Sequence, residues 1–164
     1  MIRLIAAIDA LLGIANNDGI PWQGKIPKDT EHFHELTAVG TIVMGFRTYE
    51  EYEKPLHDRE NFVATRPHGG ALRAGFVAVP DVDTVLRERP KEDVWVIGGA
   101  GLFASSLLEA DELALTRLDQ SFKCTKFFPK FDDTFQLVNE VGPYDENGIS
   151  FRFQTWRRTT TTQL

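Results

Sequence analysis

A single cysteine, Cys124, stands among 164 residues. It cannot close an internal disulfide and has no second thiol with which to build a zinc site, so its expected place is that of a small, partly buried residue. Positive charge is also scarce, with 18 Lys and Arg against 24 Asp and Glu and a net charge of -6. Nucleic-acid binders present a basic face, so this balance argues against nucleic acid as a partner, and an anionic ligand must find local cations. No apolar run approaches the ~18 residues that span a bilayer, and no membrane attachment is expected. The opening Ile2-Arg3-Leu4-Ile5-Ala6-Ala7-Ile8 lacks the long apolar core and cleavage region of a leader, which makes the cytoplasm the expected location. Internal repeats, low-complexity linkers and oligomerisation motifs are missing as well. One domain over 1–158, a frayed tail over 159–164 and a monomer are the resulting expectations.

What is present fits one sizeable core, since 42% of the residues are hydrophobic and 26% charged. Short apolar runs alternate with helical or loop segments, which predicts an α/β fold with helices on both faces of a sheet. Strands are predicted at about 2–8, 41–45, 60–65, 74–79, 93–97, 111–118, 133–141 and 149–157. Helices fit 28–37, 46–53, 81–88 and 100–108, the third capped by Asp81 and ended by Pro90. The last two strands have no helix between them and reverse through Gly142-Pro143 to Asn147-Gly148. An antiparallel hairpin at one edge of a mixed sheet follows.

The stretch Pro21-Trp22-Gln23-Gly24-Lys25-Ile26-Pro27-Lys28-Asp29 delivers one carboxylate into the first turn of a helix, because Pro27 has its φ preset for a helix start. At helical spacing Asp29, Phe33 and Leu36 or Thr37 share a face, as an acid at the floor of an apolar pocket would require. Taken alone, a solvated acid complementing the helix dipole is the commoner arrangement. Further on, the apolar run Val94-Trp95-Val96-Ile97 turns through Gly98-Gly99-Ala100-Gly101 into the helix beginning at Leu102. Glycines there let backbone approach a ligand, and a helix N-terminus offers unpaired N–H groups to phosphate. The spacing is not that of a dinucleotide-binding fingerprint, so a plain tight turn fits the segment equally well. Glu31, His32, His34 and Glu35 do not make a metal site, since two histidines two apart on a helix point in different directions.

In this order the motifs resemble dihydrofolate reductase along almost the whole chain. The resemblance rests on Leu4 to Ile8, Gly19-Ile20-Pro21-Trp22, Ile26-Pro27-Lys28-Asp29, Val43-Met44-Gly45 with Thr48, Pro55-Leu56 with Arg59, and Val96-Ile97-Gly98-Gly99. Thr116 and Phe127-Phe128-Pro129 extend it. It implies an eight-stranded, mostly parallel sheet with a C-terminal antiparallel hairpin and four main helices. It also implies reduction of 7,8-dihydrofolate by NADPH, without a metal, through hydride transfer to C6 and protonation at N5.

On the substrate side it implies that Asp29 pairs with the ring amide and exocyclic amine of the pteridine while promoting protonation, with Thr116 orienting it. Trp22 would form a wall and hold a water, Ile5 and Ala7 the floor, Phe33 would pack on the ring or the adjacent aminobenzoyl group, and Thr30 would face the aminobenzoyl group. Beyond them Leu56 borders the site, Arg59 grips the glutamate carboxylate and Lys54 adds a looser charge. For NADPH, Ala7, Ile14, Ala15, Gly19 and Ile20 would border or cover the nicotinamide, and Ile97, Gly98, Gly99, Ala100, Gly101 and Leu102 would hold the pyrophosphate, with a cis bond between the two glycines. Gly45, Phe46, Arg47, Thr48, Thr65 and Arg66 would serve the adenosine end, Arg47 and Arg66 selecting the 2′-phosphate. Several departures mark this chain: Phe46 stands where the family carries arginine, Ala15 where it carries glycine, Thr30 where it carries a bulkier Leu or Phe, and Cys124-Thr125-Lys126 where a Gly-Asp-Thr run is usual, while Gln23-Gly24-Lys25 lengthens the stretch between Trp22 and Asp29. A pyrimidine reductase of riboflavin synthesis shares the fold and NADPH, and a non-catalytic binding module is the alternative from another class.

Overall fold

A computed structural model describes residues 1–65, 70–88 and 91–160. Arg66, Pro90 and residues 161–164, each given a role by the sequence, lie outside them. The chain begins with β1 (Ile2–Ile8), β2 (Gly13–Ala15), α1 (Pro27–Leu36), β3 (Thr41–Gly45), α2 (Phe46–Glu51), β4 (Glu60–Ala64), β5 (Phe76–Val79) and α3 (Val82–Arg87). It continues with β6 (Val94–Val96), α4 (Ala100–Ser106), a 3₁₀ turn (Leu107–Glu109), β7 (Glu112–Leu118), β8 (Lys126–Phe127), β9 (Phe135–Glu146) and β10 (Ile149–Arg158). Eight strands form one sheet in the order β5-β4-β3-β6-β1-β7-β10-β9, parallel from β5 to β7 and antiparallel beyond.

Strand periodicity sends β1 to both faces of this sheet. Ile2, Leu4 and Ile8 enter a core with Val82 and Leu86 of α3 and Phe103 of α4, whereas Ile5 enters another with Tyr49 of α2, Leu56 and Phe33 of α1. A third cluster joins Trp22 and Ile26 to Leu118, Ile149 and Phe151. Helix α1 buries no residue completely. It is therefore the wall of an opening and not a core helix.

Three features depart from the sequence reading. Gly142-Pro143 does not begin the reversal: β9 runs through it to Glu146, and the turn is Asn147-Gly148 alone. The break is absorbed as a register shift opposite Phe151 and Phe153, with Gly142 at φ 119, and Pro143 is tolerated because β9 is an edge strand. The second departure is an unforeseen two-stranded sheet, β2 with β8, which pairs Gly13 with Phe127 and Ala15 with Lys126. Helix α4 also ends earlier than predicted, in the 3₁₀ turn. Arg158 accounts for this end by donating to the carbonyls of Leu107, Leu108 and Ala110.

Candidate active site

Strand β6 lies between β1 and β3, although it follows both in the chain. The carboxyl ends of these three strands therefore open together, the place where open parallel sheets accept ligands. A cleft of about 840 Å³ occupies it, running from Asp29 and Thr116 at one end to Phe46 and Arg47 at the other.

At the first end, α1 starts without a side-chain cap, because its N-cap residue is Ile26. The exposed first-turn N–H of Lys28 is satisfied instead by Glu146 Oε1 at 2.9 Å, reached from the β9–β10 hairpin. Asn147 Nδ2 donates to Lys25 O at 2.6 Å beside it. These contacts fix the turn that carries Asp29. The hydroxyl of Thr116, buried in β7, donates to Asp29 Oδ1 at 2.5 Å. Burial pushes the Asp29 carboxyl above its ordinary value of 3.8; the Thr116 hydroxyl opposes that rise and the charge of Glu146 adds to it. Ile5, Ala7, Trp22, Thr30 and Phe33 line the same end. Trp22 is only 3% exposed and meets Phe122 edge-on with centroids 5.2 Å apart. Of the two residues offered as sharing the face of Phe33, Thr37 is buried and Leu36 is exposed. His32 stacks on Phe153 at 3.9 Å, and burial holds its imidazole below the ordinary value.

Leu56, Lys54 and Arg59 stand outside the cleft lining. Leu56 is buried in the same cluster as Phe33 and Tyr52, and Lys54 is exposed. Arg59 donates through Nη1 to Thr37 Oγ1 at 3.0 Å and through Nε to His57 O at 2.8 Å, which sets its guanidinium beyond the C-terminal end of α1. Its loop is braced by Asn61, a fully buried amide that accepts from Leu56 N–H at 2.9 Å and donates to the carbonyls of Leu56 and Arg59 at 3.0 and 2.8 Å.

At the other end the Gly98-Gly99 peptide is cis. Gly45 N–H donates to Gly98 O at 2.7 Å, and a Cβ on Gly45 would lie 3.4 Å from the Gly98 oxygen. Gly98 has φ 123, and a Cβ there would meet the Phe103 ring at 3.3 Å. Ala100, Gly101 and Leu102 follow with first-turn N–H groups that have no acceptor within the helix, and all three line the cleft. Ile97, Thr48, Phe46 and Arg47 complete this end, and Ile14, Ala15 and Ile20 also line the cleft. Gly19 and Thr65 are not on the lining.

The dihydrofolate reductase family model matches residues 1–158 of this sequence. The chain belongs to that family. It is 31% identical over 161 residues to dihydrofolate reductase of Bacillus subtilis (strain 168), covering 96% of this chain and 95% of that one. It is 35% identical over 163 residues to dihydrofolate reductase type 3 of Salmonella typhimurium, with 96% and 98% covered. Among solved structures it is similar to dihydrofolate reductase from Enterococcus faecalis complexed with NADP(H) and RAB-propyl, at TM-score 0.82 and 26% identity over 98% of this chain and 97% of that one.

Within this family frame the cleft also contains residues that motif reading missed: Ala6, Gln23, Gly24, Ile26, His34, Glu51, Tyr52, Phe103 and Lys126. Tyr52 had a signal, an aromatic one turn past the Arg47-Thr48 segment. Lys126 had none, because its place depends on the unforeseen pairing with Ala15. No helix is long and apolar enough to cross a membrane, and no cluster of His, Cys, Asp and Glu suited to a metal occurs, both among the described residues.

The glycine turn yields a prediction for stability. Gly98→Ala places an L residue at φ 123 against the Phe103 ring. A cost of about 1–3 kcal/mol is expected, seen as a lower thermal midpoint by calorimetry. An unchanged midpoint would show that the turn relaxes freely.

Proposed function

We propose that this protein is an NADPH-dependent oxidoreductase that reduces 7,8-dihydrofolate to 5,6,7,8-tetrahydrofolate. The observation that best supports this reading is the pairing of Asp29 with Thr116 at one end of a cleft whose other end is the Gly98-Gly99 turn and a helix start. A single acid with a hydroxyl behind it suits a flat heterocycle that offers two neighbouring N–H donors, which a carboxylate can accept together.

The residues at the far end fit a dinucleotide. Backbone N–H groups of Ala100 to Leu102 suit a pyrophosphate, and the absence of side chains at Gly45, Gly98 and Gly99 leaves it room. Arg47, with Arg66, takes the 2′-phosphate that distinguishes NADPH from NADH, since a guanidinium binds phosphate through a planar fork. NADPH held by these residues would supply a hydride, which the pteridine would accept at C6. Asp29 anchors the ring and favours the proton at N5, delivered through a water held beside Trp22. Ile14, Ala15 and Ile20 exclude bulk water from the reacting pair. Arg59 receives the glutamate carboxylate. A monomer acting in the cytoplasm completes the reading, and light scattering of the purified protein checks the first of these.

Dihydrofolate-dependent loss of NADPH absorbance tests the proposal. Turnover with dihydrofolate and none with the aminopyrimidine of riboflavin synthesis is expected. The reverse result would assign the protein to the pyrimidine reductases, and binding of both ligands without turnover would make it a binding module.

Glu146 offers a finer check. Glu146→Gln keeps an oxygen to accept the Lys28 N–H but removes a negative charge that raises the Asp29 pKa. The Asp29 pKa should fall, and the pH at which kcat/KM begins to decline should move down with it. A profile that stays in place would separate Glu146 from the chemistry.

A further inference from the structure

Asp9 is a carboxylate with 1% exposure, outside the cleft lining and unused by the proposed chemistry. It sits where β1 ends, between two connections. Its Oδ1 accepts the N–H groups of Leu11 at 2.9 Å and Gly13 at 2.7 Å, from the connection that enters β2. Its Oδ2 accepts the N–H of Phe122 at 2.9 Å, from the connection that enters β8. Backbone bonds from Ala10 to Gln120, Thr125 to Ala15 and Phe128 to Leu12 also cross between the two connections. Each connection carries a non-glycine residue in the left-handed region close to the carboxylate, Leu12 at φ 66 and Lys123 at φ 53. Such conformations persist only where their surroundings over-determine them. The small sheet built on these two connections brings Ile14, Ala15 and Lys126 to the cleft.

We propose that Asp9 is a positioning residue for hydride transfer, its carboxylate holding both connections at the spacing that lets β2 and β8 cover the nucleotide half of the cleft. The proposal rests on the reading of the cleft as a dihydrofolate reductase site, and it deepens it. It explains why a charge is kept where water does not reach: three N–H donors replace solvation, and all three belong to the segments being held. Close packing tightens the joint. A Cβ on Gly13 would lie 2.5 Å from Cys124 Cβ and 2.7 Å from Asp9 Oδ2, so nothing larger than glycine fits between the connections. Cys124 itself is passive, since burial and the neighbouring Asp9 push its thiol up to about 11.

Asp9→Asn dissects the clamp. Its amide oxygen can still accept from Leu11 and Gly13, but the NH₂ group then faces the Phe122 N–H, donor against donor. Amide exchange at Leu11 to Ala15 and Phe122 to Lys126, measured with and without NADPH, should quicken about 10- to 150-fold, with the eight-stranded sheet still protected. Single-turnover hydride transfer should slow about 10- to 100-fold, while the KM for dihydrofolate changes little. If Asp9→Asn does not fold, Gly13→Ala applies the same separation by a Cβ wedge and should give the same pair of effects. Unchanged exchange, or quicker exchange with an unchanged hydride-transfer rate, would overturn the proposal. A wild-type protein without turnover in the same assay would bring down the parent reading and this one with it.

Discussion

Asp29→Asn is expected to lower kcat/KM for dihydrofolate at neutral pH by about 10²- to 10⁴-fold, the range that a positioned proton-transfer group contributes. The substitution preserves size and leaves an oxygen to accept from Thr116, so the contact at 2.5 Å can survive while the charge does not. Part of the rate should return as pH falls and substrate becomes protonated in solution. NADPH affinity should stay nearly constant, since the first-turn N–H groups and Arg47 lie at the opposite end of the cleft. Stability should move the other way. Burial raises the Asp29 pKa in the folded protein, so the folded state holds its proton more tightly than the unfolded chain does. The ionised group therefore costs stability at every pH above its folded value, and the cost disappears as pH falls below the ordinary value of 3.8. The variant should melt higher than wild type at pH 7, and that advantage should vanish near pH 3. Near-normal turnover by a folded Asp29→Asn protein would remove Asp29 from the chemistry and with it the main ground for a folate substrate.

Arg59→Leu is expected to raise the KM for dihydrofolate about 10- to 150-fold, the equivalent of one hydrogen-bonded charge. A pteridine substrate lacking the glutamyl group should be reduced as before. The fold should tolerate the change, because Thr37 keeps its own bond to Phe33 O at 2.7 Å when the guanidinium leaves. Thermal melting serves as the control. Equal losses on both substrates would place the effect in the Asn61 loop and not in carboxylate binding.

The large elements were legible because their signals are local. Buried runs such as Ile42-Val43-Met44 and Val94-Trp95-Val96 leave little choice but a central strand. Asp29 was legible for a related reason, since Pro27 sets the helix phase that places it over Thr116. Three-residue β2 and two-residue β8 were not legible, as neither is long enough to show an alternation. Asp9 reads as a turn residue after a strand, and its burial depends on N–H groups up to 113 residues away. Asn61 interrupts an apolar strand, and only the folded loop around Leu56 gives its amide a purpose. Arg158 likewise ends a helix that lies about 50 residues earlier in the chain.

The interruption at Gly142-Pro143 bears on how the molecule behaves among copies of itself. Twelve-residue β9 is the last strand of the sheet, and its Leu137, Val138 and Val141 are 39, 45 and 43% exposed. A flat strand of that length and composition is a template for pairing with another chain. Pro143 removes one donor from its outer rim, Gly142 turns the backbone, and Glu140, Asp145 and Glu146 place negative charge on both sides of the kink. An approaching strand finds two short, misaligned lengths bordered by like charge in place of one continuous rail, so crowding during synthesis or purification has no straight edge on which to seed an aggregate.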